Sequence, residues 1–116
     1  MQVHDVTILL GSRSVDRLAA FYADTLGLER LPSRHHVVFR AAGAKLRLIE
    51  HSEVGARSPE PQRLQLNLFV DDARAELARL EPLGVQVVRP ASQMAWGGWL
   101  VTIADPDGNY VQLIEG

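Results

Sequence analysis

The chain has 116 residues (12.8 kDa), one domain's worth, and 47% hydrophobic side chains are enough to enclose a core. Twelve Lys and Arg against fourteen Asp and Glu give a net charge of −2, which excludes the basic footprint of a nucleic-acid or anionic-membrane partner. With no cysteine there is no disulfide, thiolate nucleophile, iron–sulfur cluster or Cys-ligated zinc, and any metal would need His, Asp or Glu. Polar residues stand within the first five positions and no long apolar run follows, so neither a signal peptide nor a membrane span is expected and a cytoplasmic setting is the default.

Val3 to Leu10 is apolar and β-branched and stops at Gly11-Ser12-Arg13-Ser14, which predicts a first strand. Ser14 is a good N-cap, and Leu18, Phe21, Tyr22 and Leu26 recur at helical spacing until Gly27. Strands are expected near 28–31, 36–41 and 45–51, the last two joined by a turn at Ala42-Gly43-Ala44. Residues 53–63 contain Gly55, Ser58, Pro59 and Pro61 and read as a linker. The pattern then restarts. Residues 64–70 alternate like a half-buried strand, Asp71-Asp72 caps a helix carrying Ala73, Leu77 and Leu80, and Pro82 and Gly84 end it. Strands near 85–89, 99–104 and 110–115 complete the second half, with Asp105-Pro106-Asp107-Gly108-Asn109 as the last turn.

Each half therefore reads βαβββ, as units 1–52 and 64–116. Leu26-Gly27-Leu28 answers Leu83-Gly84-Val85, and Leu48-Ile49-Glu50 answers Leu113-Ile114-Glu115. The halves differ in charge: residues 1–58 hold 8 Arg/Lys against 6 Asp/Glu, residues 59–116 hold 4 against 8, and all four His lie in the first part. With the duplicated pattern, the Asp105–Asn109 turn, the run from Phe21 to Leu28 and Trp96-Gly97-Gly98-Trp99 make the chain resemble the vicinal oxygen chelate superfamily. This group contains glyoxalase I, extradiol dioxygenases and bleomycin-resistance proteins. The resemblance covers the whole chain and implies an α+β fold in which two mixed sheets form a cup. It also implies homodimers with a small-molecule site in each cup.

Alternation divides the residues between the two sheet faces. Leu64, Leu66, Leu68 and Val70 form the apolar set of the fifth strand, leaving Gln65, Asn67 and Phe69 for the cup. By the same rule Tyr110, Gln112 and Ile114 of the last strand, Lys45, Arg47 and Ile49 of the fourth, and Asp5, Thr7 and Leu9 of the first face the cup. The superfamily's metal enzymes place His or Glu at four strand positions that the resemblance maps onto Thr7, Arg47, Gln65 and Gln112, none of them a His or carboxylate. Uncharged oxygens are poor ligands for zinc, nickel or iron(II), and a guanidinium repels a cation, so no metal and no cofactor are expected.

Neither HExxH nor a G-x-S-x-G setting occurs, and there is no Gly-rich phosphate loop. His36 is the inward choice of the His35-His36 pair, and Glu50-His51 closes the fourth strand. Trp96 and Trp99, with Phe69 and Tyr110, offer flat apolar faces for a planar ring, with packing or dimer contact as the competing role of the tryptophans. Arg47 needs an anion, either Asp5 within the chain or an acidic group on a ligand. The leading expectation is a metal-free homodimer holding a planar or aromatic molecule among Thr7, Arg47, Gln65, Asn67, Phe69, Trp96, Trp99, Tyr110 and Gln112. Two alternatives stand beside it. One is a lyase, isomerase or dioxygenase using His36, Glu50 and His51 for an unusual metal, or His36 or Tyr110 as acid/base. The other is a scaffold whose cup is filled by its own side chains.

Overall fold

The computed structural model describes all 116 residues, and the chain divides into two compact units, Met1–Ala56 and Arg57–Gly116. The first unit contains β1 (Thr7–Ser12), α1 (Val15–Ala20, continued by a π-helical turn at Phe21–Thr25), β2 (Glu29–Leu31), β3 (Val37–Ala41) and β4 (Ala44–Glu50). The second contains β5 (Leu66–Phe69), α2 (Ala73–Leu80, followed by a 3₁₀ turn at Glu81–Leu83), β6 (Gln86–Gln93), β7 (Trp99–Ala104) and β8 (Tyr110–Glu115). Each unit is a four-stranded mixed sheet, ordered β1-β4-β3-β2 and β5-β8-β7-β6, in which the first strand runs parallel to the last and the other pairs are antiparallel. The expected α+β fold with two βαβββ units is the fold observed.

The two sheets are built on one register. Leu10 pairs with Leu48 as Leu68 pairs with Leu113, and Leu9 with Arg47 as Asn67 with Gln112. Thr7 therefore corresponds to Gln65, and Arg47 to Gln112. One face of each sheet carries the helix, and its apolar residues are buried. They are Phe39, Leu46 and Leu48 with Leu18 and Tyr22 in the first unit, and Val101, Ile103, Val111 and Leu113 with Leu77 and Leu80 in the second. Burying side chains of this size is worth roughly 1.5–3 kcal/mol each, which makes the helix–sheet seam the main stabilising element of each unit.

The repeated glycines and glutamates have matching duties. Gly27 and Gly84 end their helices at φ of 80° and 83°, a left-handed conformation that a Cβ disfavours. Glu50 accepts the backbone N–H of Val15, the first residue of α1, at 3.2 Å, and Glu115 accepts that of Ala73, the first of α2, at 2.9 Å. A carboxylate there satisfies an orphan donor and meets the positive end of the helix dipole. Asp72 caps α2 as expected, its carboxylate taking the N–H of Ala75. Ser14 does not cap α1 through its side chain, and Glu50 supplies that anion instead.

β5 is shorter than the expected 64–70, and three further boundaries depart from the sequence reading. β1 begins at Thr7 and runs through the expected breaker Gly11-Ser12, because its parallel pairing with β4 extends from Thr7–Lys45 to Ser12–Glu50. Gly11 fits there because a Cβ would come within 3.2 Å of His51 Cβ. The helix widens into a π turn where Phe21 and Tyr22 are both buried, and a wider turn lets consecutive side chains face the core. β6 continues past Pro90 to Gln93, since it is an edge strand with two register shifts, where proline is tolerated. No helix of the chain is long and apolar enough to cross a membrane.

Candidate functional site

The sheet face without a helix carries the candidate residues, and its composition differs between units. In the first unit, register aligns Thr7, Lys45, Arg40 and Glu29 in one row and Leu9, Arg47, Val38 and Leu31 in the next. Leu9 is 53% exposed. The Asp5 carboxylate accepts from Lys45 Nζ at 2.6 Å and from the Val6 N–H at 2.8 Å. The hydrogen bond from Lys45, then that from Val6, then the lysine's charge hold the Asp5 carboxyl below its ordinary pKa. Arg40 pairs with Glu29 at 3.1 Å.

Arg47 does not pair with Asp5, which corrects the first of the two partners expected for it. The Thr7–Lys45 register brings the chain end just before β1 to Lys45, which takes the carboxylate. Arg47 Nη2 instead donates to His36 Nδ1 at 2.9 Å, while its Nε is buried without a hydrogen-bond partner. His36 thus lies on the helix-free face with Arg47. Glu50 and His51 do not join it: Glu50 caps α1, and His51 Nδ1 accepts the N–H of Glu53 at 3.1 Å. In neither unit do three His, Asp or Glu side chains converge as a metal-binding group, so the alternative set His36, Glu50 and His51 is not assembled.

In the second unit the helix-free face carries a polar row, Asn67, Gln112 and Thr102, beside an apolar row, Phe69, Ile114 and Leu100. Phe69 is 76% exposed on the sheet's edge strand. Tyr110 lies on the same face, paired with Ala104. Gln65 precedes β5, and its carboxamide donates to the Gln62 carbonyl at 3.1 Å. Thr102, which the sequence reading passed over, is 2% exposed with an unpartnered hydroxyl opposite Gln112. Its signal was a lone hydroxyl inside the apolar run Leu100-Val101-Thr102-Ile103.

The two tryptophans do not join Phe69 and Tyr110 in one aromatic wall, which corrects that part of the expectation. Trp99 shares its face with Val101 and Ile103, towards α2, where the Arg74 guanidinium lies 4.2 Å above its ring. Trp96 lies in the β6–β7 turn, 60% exposed, on a cleft of about 430 Å3 lined by Val70, Asp71, Gly97, Gly98, Glu115 and Gly116. Gly98 is needed there, because a Cβ would strike the Glu115 carbonyl and the Trp96 indole nitrogen.

The Asp105–Asn109 turn is structural. Asp105, 2% exposed, accepts the N–H groups of Asp107 and Asn109 and the carboxamide of Asn109, all within 2.9–3.0 Å. Its counterpart in the first unit is the tight turn at Ala42-Gly43, where Ala42 has a φ of 51°.

Comparison with known proteins places this geometry. The sequence profile of the glyoxalase-like domain family matches residues 7–114. The chain belongs to that family. Among solved structures, this glyoxalase-like chain is similar to a lactoylglutathione lyase from Agrobacterium tumefaciens, with 24% identity, 100% of this chain and 96% of the other covered, and a TM-score of 0.75. It is also similar to TnmS3, an antibiotic-binding protein from Streptomyces sp. CB03234, with 25% identity, 98% and 96% covered, and a TM-score of 0.75. A protein of unknown function from Agrobacterium tumefaciens str. C58 reaches a TM-score of 0.81 at 23% identity, with 100% and 96% covered. No curated protein matches the chain in sequence.

The superfamily resemblance implies a divalent ion, and the residues present do not fit one. The first unit offers Thr7 and Arg47 at the corresponding places, and the second offers Gln65 and Gln112. Arg47 is a fixed positive charge with no lone pair to offer, and the Thr7 hydroxyl and the carboxamide oxygens of Gln65 and Gln112 carry no negative charge.

Proposed function

We propose that the chain is a metal-independent, homodimeric binding protein for a small planar or aromatic molecule, with the helix-free sheet faces as its ligand surfaces. The observation that carries this reading is the exposure of Phe69, in register with Ile114 and Leu100 and beside the row Asn67, Gln112 and Thr102. An exposed ring in an apolar row gives a flat surface for a planar ligand. The adjacent carboxamides of Asn67 and Gln112 both donate and accept, which suits carbonyl and hydroxyl groups on such a molecule.

The donor chemistry supports the same reading. At 4 Å two like unit charges repel by about 4 kcal/mol at an effective dielectric of 20, so a divalent ion beside Arg47 would need strong anionic ligands to hold it. The corresponding positions offer hydroxyl and carboxamide groups instead. Likeness to an antibiotic-binding protein supports drug sequestration as one form of the activity. Metabolite sensing uses the same surface.

A thermal-shift screen of planar antibiotics and aromatic metabolites tests the proposal. At least one class is expected to raise the melting temperature, and Phe69→Ala to weaken its binding by roughly tenfold, the loss of about 1.4 kcal/mol of ring contact. Failure of every class to stabilise the protein, or binding indifferent to Phe69→Ala, would contradict it.

A further inference from the structure

The first unit's helix-free face carries one charge too many. Lys45 and Arg40 have carboxylate partners in Asp5 and Glu29, at 2.6 and 3.1 Å, whereas Arg47 has none. Three cations thus face two carboxylates. The one polar contact of the Arg47 guanidinium is with His36 Nδ1, 2.9 Å from Nη2. A guanidinium can only donate, so Nδ1 accepts and the ring hydrogen resides on Nε2. His36 therefore orients Arg47 without neutralising it. Leu9 and Val38 flank Arg47 in register, and its Nε is shielded from water with no partner. A partly desolvated cation in aliphatic surroundings, oriented but lacking a counter-ion, gains most from an anion that arrives with a ligand.

We propose that Arg47 is the recognition group for a carboxylate, so that the small molecules this chain binds are planar or aromatic carboxylic acids. The inference rests on the binding reading above and narrows its ligand class. One surplus charge matches a monoanion; a phosphate dianion would call for a second free cation, and Lys45 and Arg40 are already engaged.

The test is a calorimetric comparison of 2-naphthoate with 2-naphthamide, which share a ring system and differ in charge, at fixed ionic strength. The wild-type protein is expected to bind the acid roughly tenfold more tightly than the amide. Arg47→Gln should bring that ratio close to one, and Arg47→Lys should restore part of it, since ammonium keeps the charge but not the planar fork. In the wild-type protein, the Arg47 Nε–Hε resonance should shift on adding naphthoate and not on adding naphthamide, a readout independent of how well the variants fold. Equal affinity for acid and amide, or a preference that survives Arg47→Gln, would overturn the carboxylate assignment while leaving small-molecule binding intact. If neither compound binds and the wider screen also fails, the binding reading falls and this assignment with it.

Discussion

At one register position the first unit pairs Leu9 with Arg47 and Val38, and the second pairs Asn67 with Gln112 and Thr102. On the opposite face the same strands carry Leu46 and Leu48 in one unit and Val111 and Leu113 in the other, all buried. The helix-bearing face is thus preserved in character, apolar and close-packed, while the helix-free face has become cationic in one unit and neutral with amides and an exposed ring in the other. The difference shows where each unit is constrained by packing and where its side chains are available for recognition.

The comparison can be broken at the core, where the largest effects are expected. Phe39 and Ile103 occupy equivalent positions, Phe39 opposite Leu46 and Ile103 opposite Val111, and both are fully buried. Phe39→Ala should cost about 3–5 kcal/mol and Ile103→Ala about 2–5 kcal/mol in chemical denaturation. A loss below about 1 kcal/mol at either position would mean that the two cores are not equivalent.

Smaller effects are expected at the paired glutamates. Glu115 is the better-held cap, with a 2.9 Å bond to Ala73, a side chain 21% exposed and Arg74 at 4.0 Å, whereas Glu50 is exposed and 3.2 Å from Val15. Glu115→Ala should cost about 1–2 kcal/mol and Glu50→Ala about 0.5–1 kcal/mol by the same measurement. The reverse order would contradict the geometry.

The smallest effect belongs to the first unit alone. By register, the residue corresponding to Asp5 is Arg63, and Asp5, unlike Arg63, ties the segment before its first strand to Lys45 of the sheet through its side chain. Because the folded carboxyl has a lowered pKa, its contribution is fully present above the ordinary carboxylate value and is lost as pH falls through the lowered one. Exchange of the Val6 amide should therefore gain an acid-dependent opening in that range, absent from Asp5→Asn. Protection that does not change across the range would show that the Lys45 contact does not secure the segment.

Much of this arrangement was legible in the sequence, because alternation and a restarting pattern are local signals. Leu66 and Leu68 against Asn67 and Phe69 divided the faces of β5 correctly, and the span of β8 was read as observed. The Leu-Ile-Glu match was visible as a repeat, but its reason, a cap on each helix, needed the strand end beside the helix start. What escaped depends on register between distant strands. Alternation puts Asp5 and Arg47 on one face, yet the parallel pairing of β1 with β4 brings Lys45 to Asp5 instead. The short spacing of Trp96 and Trp99 suggests one aromatic group, whereas counting back from Val101 and Ile103 sends Trp99 towards α2 and Arg74. Of the candidate residues, the structure keeps Thr7 and Arg47 on one helix-free face and Asn67, Phe69, Tyr110 and Gln112 on the other.

The most direct measurement is a calorimetric titration of a stabilising planar compound from the screen, performed with EDTA and again with added nickel, zinc or iron(II). Metal-independent recognition predicts the same affinity in every condition. Binding that disappears in the chelator and returns with one of the ions would contradict it.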